Sequence, residues 1–200
     1  STMDIRVEPL PQLVPPTQPY TICDDNQDGI ASFDLTTLDS GLLQGVTAYQ
    51  LTYHETMADA ISNGTTIPDF TNYFNIYPFV QTIYVRAEDL ITHCFSVLPI
   101  QLHVNPSPVQ PINLADVVLC DTDSNPYNGV VSTINLAAVI PSVLAQQPLA
   151  ASNYTVRFYT TLALAQAGTA PIINTSNYTN ISTPQTIWVR VEDKITHCYN

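Results

Sequence analysis

The chain has 200 residues, with 17 acidic against five basic side chains and a formal charge of −12. So few cations exclude nucleic acid as a partner, because phosphates need clustered Lys and Arg. Sixteen prolines argue against a helical bundle, and no apolar run is long enough to take this segment into a membrane.

In chain order, IRVEPLP (5–11) alternates apolar and polar residues before its prolines. CDDNQDG (23–29) is an Asp/Asn/Gly turn beside a cysteine. IASFDL (30–35) and AYQLTYHE (48–55) read as strands, and ETMADAIS (55–62) as one or two helical turns. QTIYVRAED (81–89) places Ile83, Val85 and Ala87 on one face and Tyr84, Arg86 and Glu88 on the other, the period of a half-buried strand. FSVLPIQLHV (95–104) is a further strand, and NPSP (105–108) is a stiff linker.

The same grammar then recurs. QTIYVRAEDLITHC (81–94) and QTIWVRVEDKITHC (185–198) share eleven of fourteen residues. TYHETMADA (52–60) lies over RFYTTLALA (157–165), TNY (71–73) over SNY (176–178), SFDL (32–35) over TINL (133–136), and IRVEPLP (5–11) over LHVNPSP (102–108). Two diverged copies of one unit predict two domains, 1–105 and 106–200, each large enough for its own core. The opening residues match the close of a unit, and only Tyr199 and Asn200 follow Cys198, so the second copy lacks its final strand. The expectation is an excerpt of a longer array. Short strands at turn-rich spacing predict an all-β chain of two tandem sandwich domains, arranged end to end.

Each copy carries two cysteines. Three pairings are possible, and the repeat favours Cys23–Cys94 and Cys120–Cys198, one bridge inside each domain, with buried free thiols as the alternative. Such bridges belong to an oxidising compartment. Asp24, Asn26 and Asp28 alternate ahead of Gly29, the opening of a calcium loop, with Asp34 as a further acid nearby. Leu35 stands where an EF-hand needs a carboxylate. In the second copy Asp121, Asp123 and Asn125 keep the alternation, but Pro126 replaces the glycine. Arg86, Glu88 and Asp89 recur as Arg190, Glu192 and Asp193, and read as a same-face ion pair with a turn-starting Asp. No nucleophile elbow, zinc-protease or phosphate-loop motif occurs, so an enzyme is not expected.

The combined pattern C-D-x-N-x-D-G-x-x-x-F-D-L, then A-D-A-I, N-Y and Q-T-I-Y-V-R-x-E-D…C resembles a repeat of very large type IX-secreted surface proteins of the Bacteroidota, such as gliding-motility adhesins. The resemblance covers nearly the whole chain. It implies an Ig-like β-sandwich module of a cell-surface or secreted filament, with neighbouring repeats as partners and a surface polysaccharide or solid substratum as the adhesive target. A carbohydrate-binding module of a secreted polysaccharide-degrading protein is the alternative, and exposed aromatics on one sheet would favour it.

Overall fold

The computed structural model describes residues 2–121, 125 and 127–200, and the chain divides into two compact units, Ser1–Pro106 and Ser107–Asn200. Asp123, one of the predicted second-loop acids, lies outside the described residues.

In the first unit, the repeated segment becomes β5 (Val80–Asp89), next to β6 (Phe95–Pro106). β1 (Tyr20–Asp24) runs parallel to the far edge of β6, and β3 (Tyr49–His54) runs antiparallel to β5. The sheet order is β1-β6-β5-β3, and β2 (Ser32–Phe33) with β4 (Tyr73–Phe74) makes a separate small ladder. The alternation of β5 sends Ile83, Val85 and Ala87 inward, all fully buried. Ile100, Leu102 and Val104 of β6 join them against Phe33, Leu35 and Leu42. Each fully buried Ile or Leu contributes about 2 kcal/mol.

Two short helices cross this sheet. α2 (Met57–Ser62) begins at Thr56, whose hydroxyl accepts from the Asp59 amide. It is the Ala-rich turn expected from 55–62. α1 (Asp39–Leu43), preceded by a 3-10 turn at Leu35–Leu38, lies outside the expected elements. Its signal is the spacing Leu35, Leu38, Leu42, the stripe of a helix rather than of a strand.

The second unit reproduces half of this plan. β7 (Tyr154–Tyr159) and β8 (Trp188–Asp193) pair antiparallel in the register of β3 and β5. α3 (Ile140–Leu144) and α4 (Leu162–Ala167) repeat α1 and α2, with Thr161 capping α4. A bridge between Ile134 and Tyr178 stands for the β2–β4 ladder. Among the described residues, Tyr199 and Asn200 alone occupy the β6 position, with Tyr199 opposite Glu192 and Asn200 exchanging backbone bonds with Val191. Among the described residues the connected buried cluster of the first unit has a smaller counterpart around Val143, Tyr154 and Val191, with Leu136, Phe158, Tyr159 and Ala165 also buried.

One missing neighbour accounts for two missing strands. Among the described strands β1 pairs only with β6, and the Val80–Ile83 half of β5 also pairs only with β6, since the pairing of β5 with β3 begins at Tyr84, opposite His54. Their counterparts, 117–121 and 184–187, are outside any strand, and Val117, Val118 and Leu119 are exposed. Side-chain size adds to the gap. Tyr20 packs edge-on against Phe33 in the first unit, where the second has Val117 and Ile134. A cavity of about 410 Å³ lined by Val117, Leu119 and Val139 remains there.

Candidate functional site

The loop after β1 is built around one carboxylate. Asp24 is fully buried, and its oxygens accept from the amides of Asn26, Gln27 and Gly29 at 3.2, 2.7 and 2.7 Å. Asp28 accepts from the Ile30 amide and the Asn26 side chain, and Asn26 Oδ1 accepts from the Asp28 amide. Asp34 caps the following 3-10 turn through the Thr36 amide. These oxygens are directed to the chain's own donors rather than towards a common point. Among the described residues no group of three His, Cys, Asp or Glu is placed to hold a metal. The residues thus fit a self-satisfied turn better than a calcium cage, whose cation needs six or more converging oxygens.

Gly29 is required for a different reason. Its φ is +78°, and a Cβ there would come within 2.9 Å of Pro78 Cβ. That close approach lets Asn75 fasten the loop. The Asn75 amide donates to the Gly29 and Tyr77 carbonyls, and its oxygen accepts from Ala31 N. Gln81 then donates to Tyr73 Oη at 2.7 Å and accepts from Ile76 N. Burial, foremost, pushes the Tyr73 phenol up to about 12.

The second copy rebuilds this fastening. Asn180 donates to Gly129 and Ser182 and accepts from Val131 N, while Gln185 donates to Tyr178 Oη. Asp121 accepts from Gly129 N, and Asn128 from Val130 N. The Asn125 carbonyl accepts from Asn128 N. Sequence reasoning missed Asn75 and Gln81 as a pair with the loop. The signal was there in NYFNI (72–76) over NYTNI (177–181), a repeated Asn two residues beyond each tyrosine.

The Arg-Glu-Asp triplet does structural work at the other end of β5. Arg86 donates to Glu88 at 2.8 Å, and its other nitrogen donates to the Ala60 and Ile61 carbonyls at the end of α2. Its guanidinium lies 3.5 Å over the Phe95 ring. Arg190 repeats every part: Glu192, the Ala165 and Gln166 carbonyls of α4, and the Tyr199 ring at 3.3 Å. A cation at a helix C-terminus answers its unpaired carbonyls. Asp89 then accepts from the Ile91 and Thr92 amides and Asp193 from those of Ile195 and Thr196, holding two tight turns. The Arg86 and His93 side chains hold the Glu88 carboxyl below its ordinary range. Backbone donation from Thr92 and Ile91 does the same for Asp89. At Asp193 burial pushes upward, but the Thr196 and Ile195 donors outweigh it.

Both turns end on a cysteine carbonyl: Asp89 N donates to Cys94 and Asp193 N to Cys198, each at 2.9 Å. The cysteine pairing differs from the expected one. Cys23 and Cys198 are the disulfide-bonded cysteines, and Cys94 and Cys120 are free thiols, so neither Cys23–Cys94 nor Cys120–Cys198 is formed. The first unit's geometry gives the reason. Cys23 sits opposite Asn105 near the end of β6, while Cys94 immediately precedes its start at Phe95. Eleven residues of extended strand separate those positions by roughly 36 Å. A disulfide tolerates a Cα separation of about 7 Å at most. The repeat showed correctly that the cysteines are equivalent, but it carried no information that strand β6 lies between them.

A family model described as Flavobacterium inter-domain disulphide bond domain matches residues 19–108 and 116–200. The chain belongs to this family. No curated protein and no solved structure matches it. Each copy of the Flavobacterium inter-domain disulphide bond domain here carries the same three devices: the Asp-Gly-Asn fastening after the first cysteine, the Arg clamp, and the Asp turn before the second cysteine. No helix among the described residues is long and apolar enough to cross a membrane.

Proposed function

We propose that this chain is a structural and adhesive repeat segment of a large cell-surface or secreted filament, built of Ig-like sandwich modules that are joined covalently through their cysteines. The observation that carries this reading is the placement of Cys23 and Cys94 at opposite ends of β6, which forbids a bridge within the module. A cysteine at each pole suits linkage from one module to another. That use agrees with the family's description and with an exterior, oxidising location. A type IX-secreted adhesin, as in gliding motility, is the natural setting for such an array. Its partners are then neighbouring repeats, with the target a polysaccharide or solid surface.

Non-reducing peptide mapping of the native array tests the reading. Bridges between cysteines of different repeats are expected, and a Cys23–Cys94 peptide as the main product would overturn it. A second reading, carbohydrate binding, is favoured by Phe70, Phe74, Tyr77 and Phe79, which are all exposed in the first unit. Glycan-array binding that is lost in Phe74→Ala and Tyr77→Ala would select it over a passive stalk.

A further inference from the structure

β3 is an edge strand of the first unit's sheet, and a cleft runs along its outer side. Leu90 N donates to the Ala48 carbonyl, so by the alternation of an antiparallel ladder Gln50, Thr52 and His54 direct their backbone groups to β5. Those of Tyr49, Leu51 and Tyr53 point the other way. Ile67 N takes the Tyr53 carbonyl, while the Leu51 amide and carbonyl have no partner among the described residues. The cleft measures about 330 Å³, within the range of small-ligand sites, and is bounded by Tyr49, Leu51, Thr66 and Phe70 together with Asp39 and Leu43 of α1. Tyr53 Oη donates to Asp39 Oδ1 at 2.5 Å. The Tyr53 ring stacks on Phe70 with centroids 6.5 Å apart, and Phe70 stays 44% exposed. The second Asp39 oxygen and the Thr66 hydroxyl enter no hydrogen bond among the described residues.

The second unit separates what the fold needs from what it does not. Identical backbone bonds fix the equivalence: Ile67 N to Tyr53 O and Leu35 N to Phe70 O in the first unit, Ile172 N to Phe158 O and Leu136 N to Thr175 O in the second. The apolar frame is kept, with Leu144, Val156 and Ile172 standing for Leu43, Leu51 and Ile67. The polar and aromatic groups are not kept. Ile140 stands for Asp39, Phe158 for Tyr53, Pro171 for Thr66 and Thr175 for Phe70. Both partners of the Tyr53–Asp39 bond are thus replaced together, by side chains that cannot hydrogen-bond. Strand β7 and helix α3 form without that pair and without the Phe70 ring, so the first unit carries these groups for something other than folding.

We propose that this cleft of the first unit binds a small neutral saccharide. The inference rests on the carbohydrate-binding reading and gives that reading a place in the fold. The lining holds one carboxylate and no cation, which excludes phosphate, sulfate and uronate groups. Sugar hydroxyls both donate and accept, and so match the open Asp39 oxygen, the Thr66 hydroxyl and the Leu51 amide and carbonyl. Phe70 and Tyr49 supply flat apolar surface to the C–H face of a sugar ring. An extended peptide does not fit. Ile67 closes the edge at Tyr53, and the two outward-facing residues left, Tyr49 and Leu51, are too short an edge for an added strand.

The test is a titration of the whole isotope-labelled chain, read by amide NMR shifts, with a panel of neutral mono- and disaccharides, a sugar phosphate and trilysine as probes. A neutral sugar should shift the amides of Leu43, Leu51 and Phe70 and leave those of Leu144, Val156 and Thr175 in place. The sugar phosphate and trilysine should shift neither set. Phe70→Thr, and Asp39→Ile combined with Tyr53→Phe, install the second unit's own residues, and an otherwise unchanged spectrum shows that the fold is kept. Each should weaken sugar binding at least about tenfold, the loss expected when a stacking face or a charged hydrogen bond is removed. Shifts at the cleft with trilysine and with no sugar would overturn the saccharide as occupant. Sugar-induced shifts centred on Phe74 and Tyr77 that survive both variants would overturn the cleft and leave the carbohydrate reading standing. No shift with any sugar would overturn both.

Discussion

The two units use the same local devices and differ in one strand. The Thr-capped helix, the Arg clamp, the Asp turn and the Asn fastening appear in both, residue for residue. The cap and the Asp turn are local, while the Arg clamp and the Asn fastening join residues 26 and 46 apart in the first unit. The buried core, by contrast, is smaller among the described residues of the second unit, where Val143, Phe158, Tyr159 and Val191 are fully buried without a stripe like Ile100, Leu102 and Val104 of β6 beside them. Polar side-chain hydrogen bonding thus sets the shape of each turn and helix. A layer of apolar side chains from the central strand decides how much sheet is built on them. Phe95 and Tyr199 are equivalent: each lies under its arginine, and after Phe95 strand β6 continues to Pro106.

The largest effect should come from one pair of equivalent isoleucines. Ile83 is fully buried between β6 and the core, while Ile187 is only half-buried. Ile83→Ala is expected to cost the first unit about 3 to 4 kcal/mol, and Ile187→Ala under about 1 kcal/mol in the second. Urea unfolding can read them separately, because Trp188, the sole tryptophan, reports on the second unit alone. Equal costs would mean that the second core is completed by something other than β6.

Next is the buried aspartate of the loop. Asp24→Ala strands three backbone donors, and should cost about 2 to 3 kcal/mol. Asp121→Ala, which releases the Gly129 amide, should cost about 1 kcal/mol. Melting midpoints are expected to be equal in EDTA and in calcium, because these carboxylates are already satisfied by the chain. A calcium-dependent rise that disappears in Asp24→Ala would return the loop to a cation.

The arginines should behave alike, since each holds the same carboxylate, helix-end carbonyls and aromatic ring. Arg86→Lys and Arg190→Lys should each cost about 1 to 2 kcal/mol, because lysine cannot bridge two helix-end carbonyls, a carboxylate and an aromatic face together. Amide exchange at the ends of α2 and α4 measures this. A large loss at Arg86 with none at Arg190 would show that the clamp depends on β6 after all.

Much of the first unit was legible beforehand. The period-two strands at 48–55, 81–89 and 95–104 and the helical turn at 55–62 follow from patterns that complete themselves locally. What escaped was non-local. Asn75 and Gly29 are 46 residues apart, and nothing in either residue names the other. The parallel pairing of β1 with β6 is likewise a long-range choice, and it is what carries Cys23 away from Cys94. Equivalence by repeat was read as proximity, whereas proximity depends on which strand lies between.

The smallest expected effect tests whether the shared turns are independent of the sheet. Asp89 and Asp193 each accept two backbone amides through Oδ1, at 2.8 to 2.9 Å, and both carboxyls are held below their ordinary range. A folded-state value below the unfolded one means that the unfolded chain takes up protons first as acid is added. The stabilisation is therefore fully present above the unfolded carboxylate value of about 4 and is lost as pH falls through the lower folded value. Amides of Ile91, Thr92, Ile195 and Thr196 should stay protected at pH 5 and open together at lower pH. Asp89→Asn and Asp193→Asn should each remove the pH dependence from their own turn only. Glu88, depressed by Arg86 and His93, adds a loss of the same sign in the first unit. If Asp89 holds its turn and Asp193 titrates at the ordinary value, then the turn before the second cysteine needs the complete sheet behind it. If both are depressed, each turn is a self-sufficient unit that orients its cysteine whether or not β6 is in place.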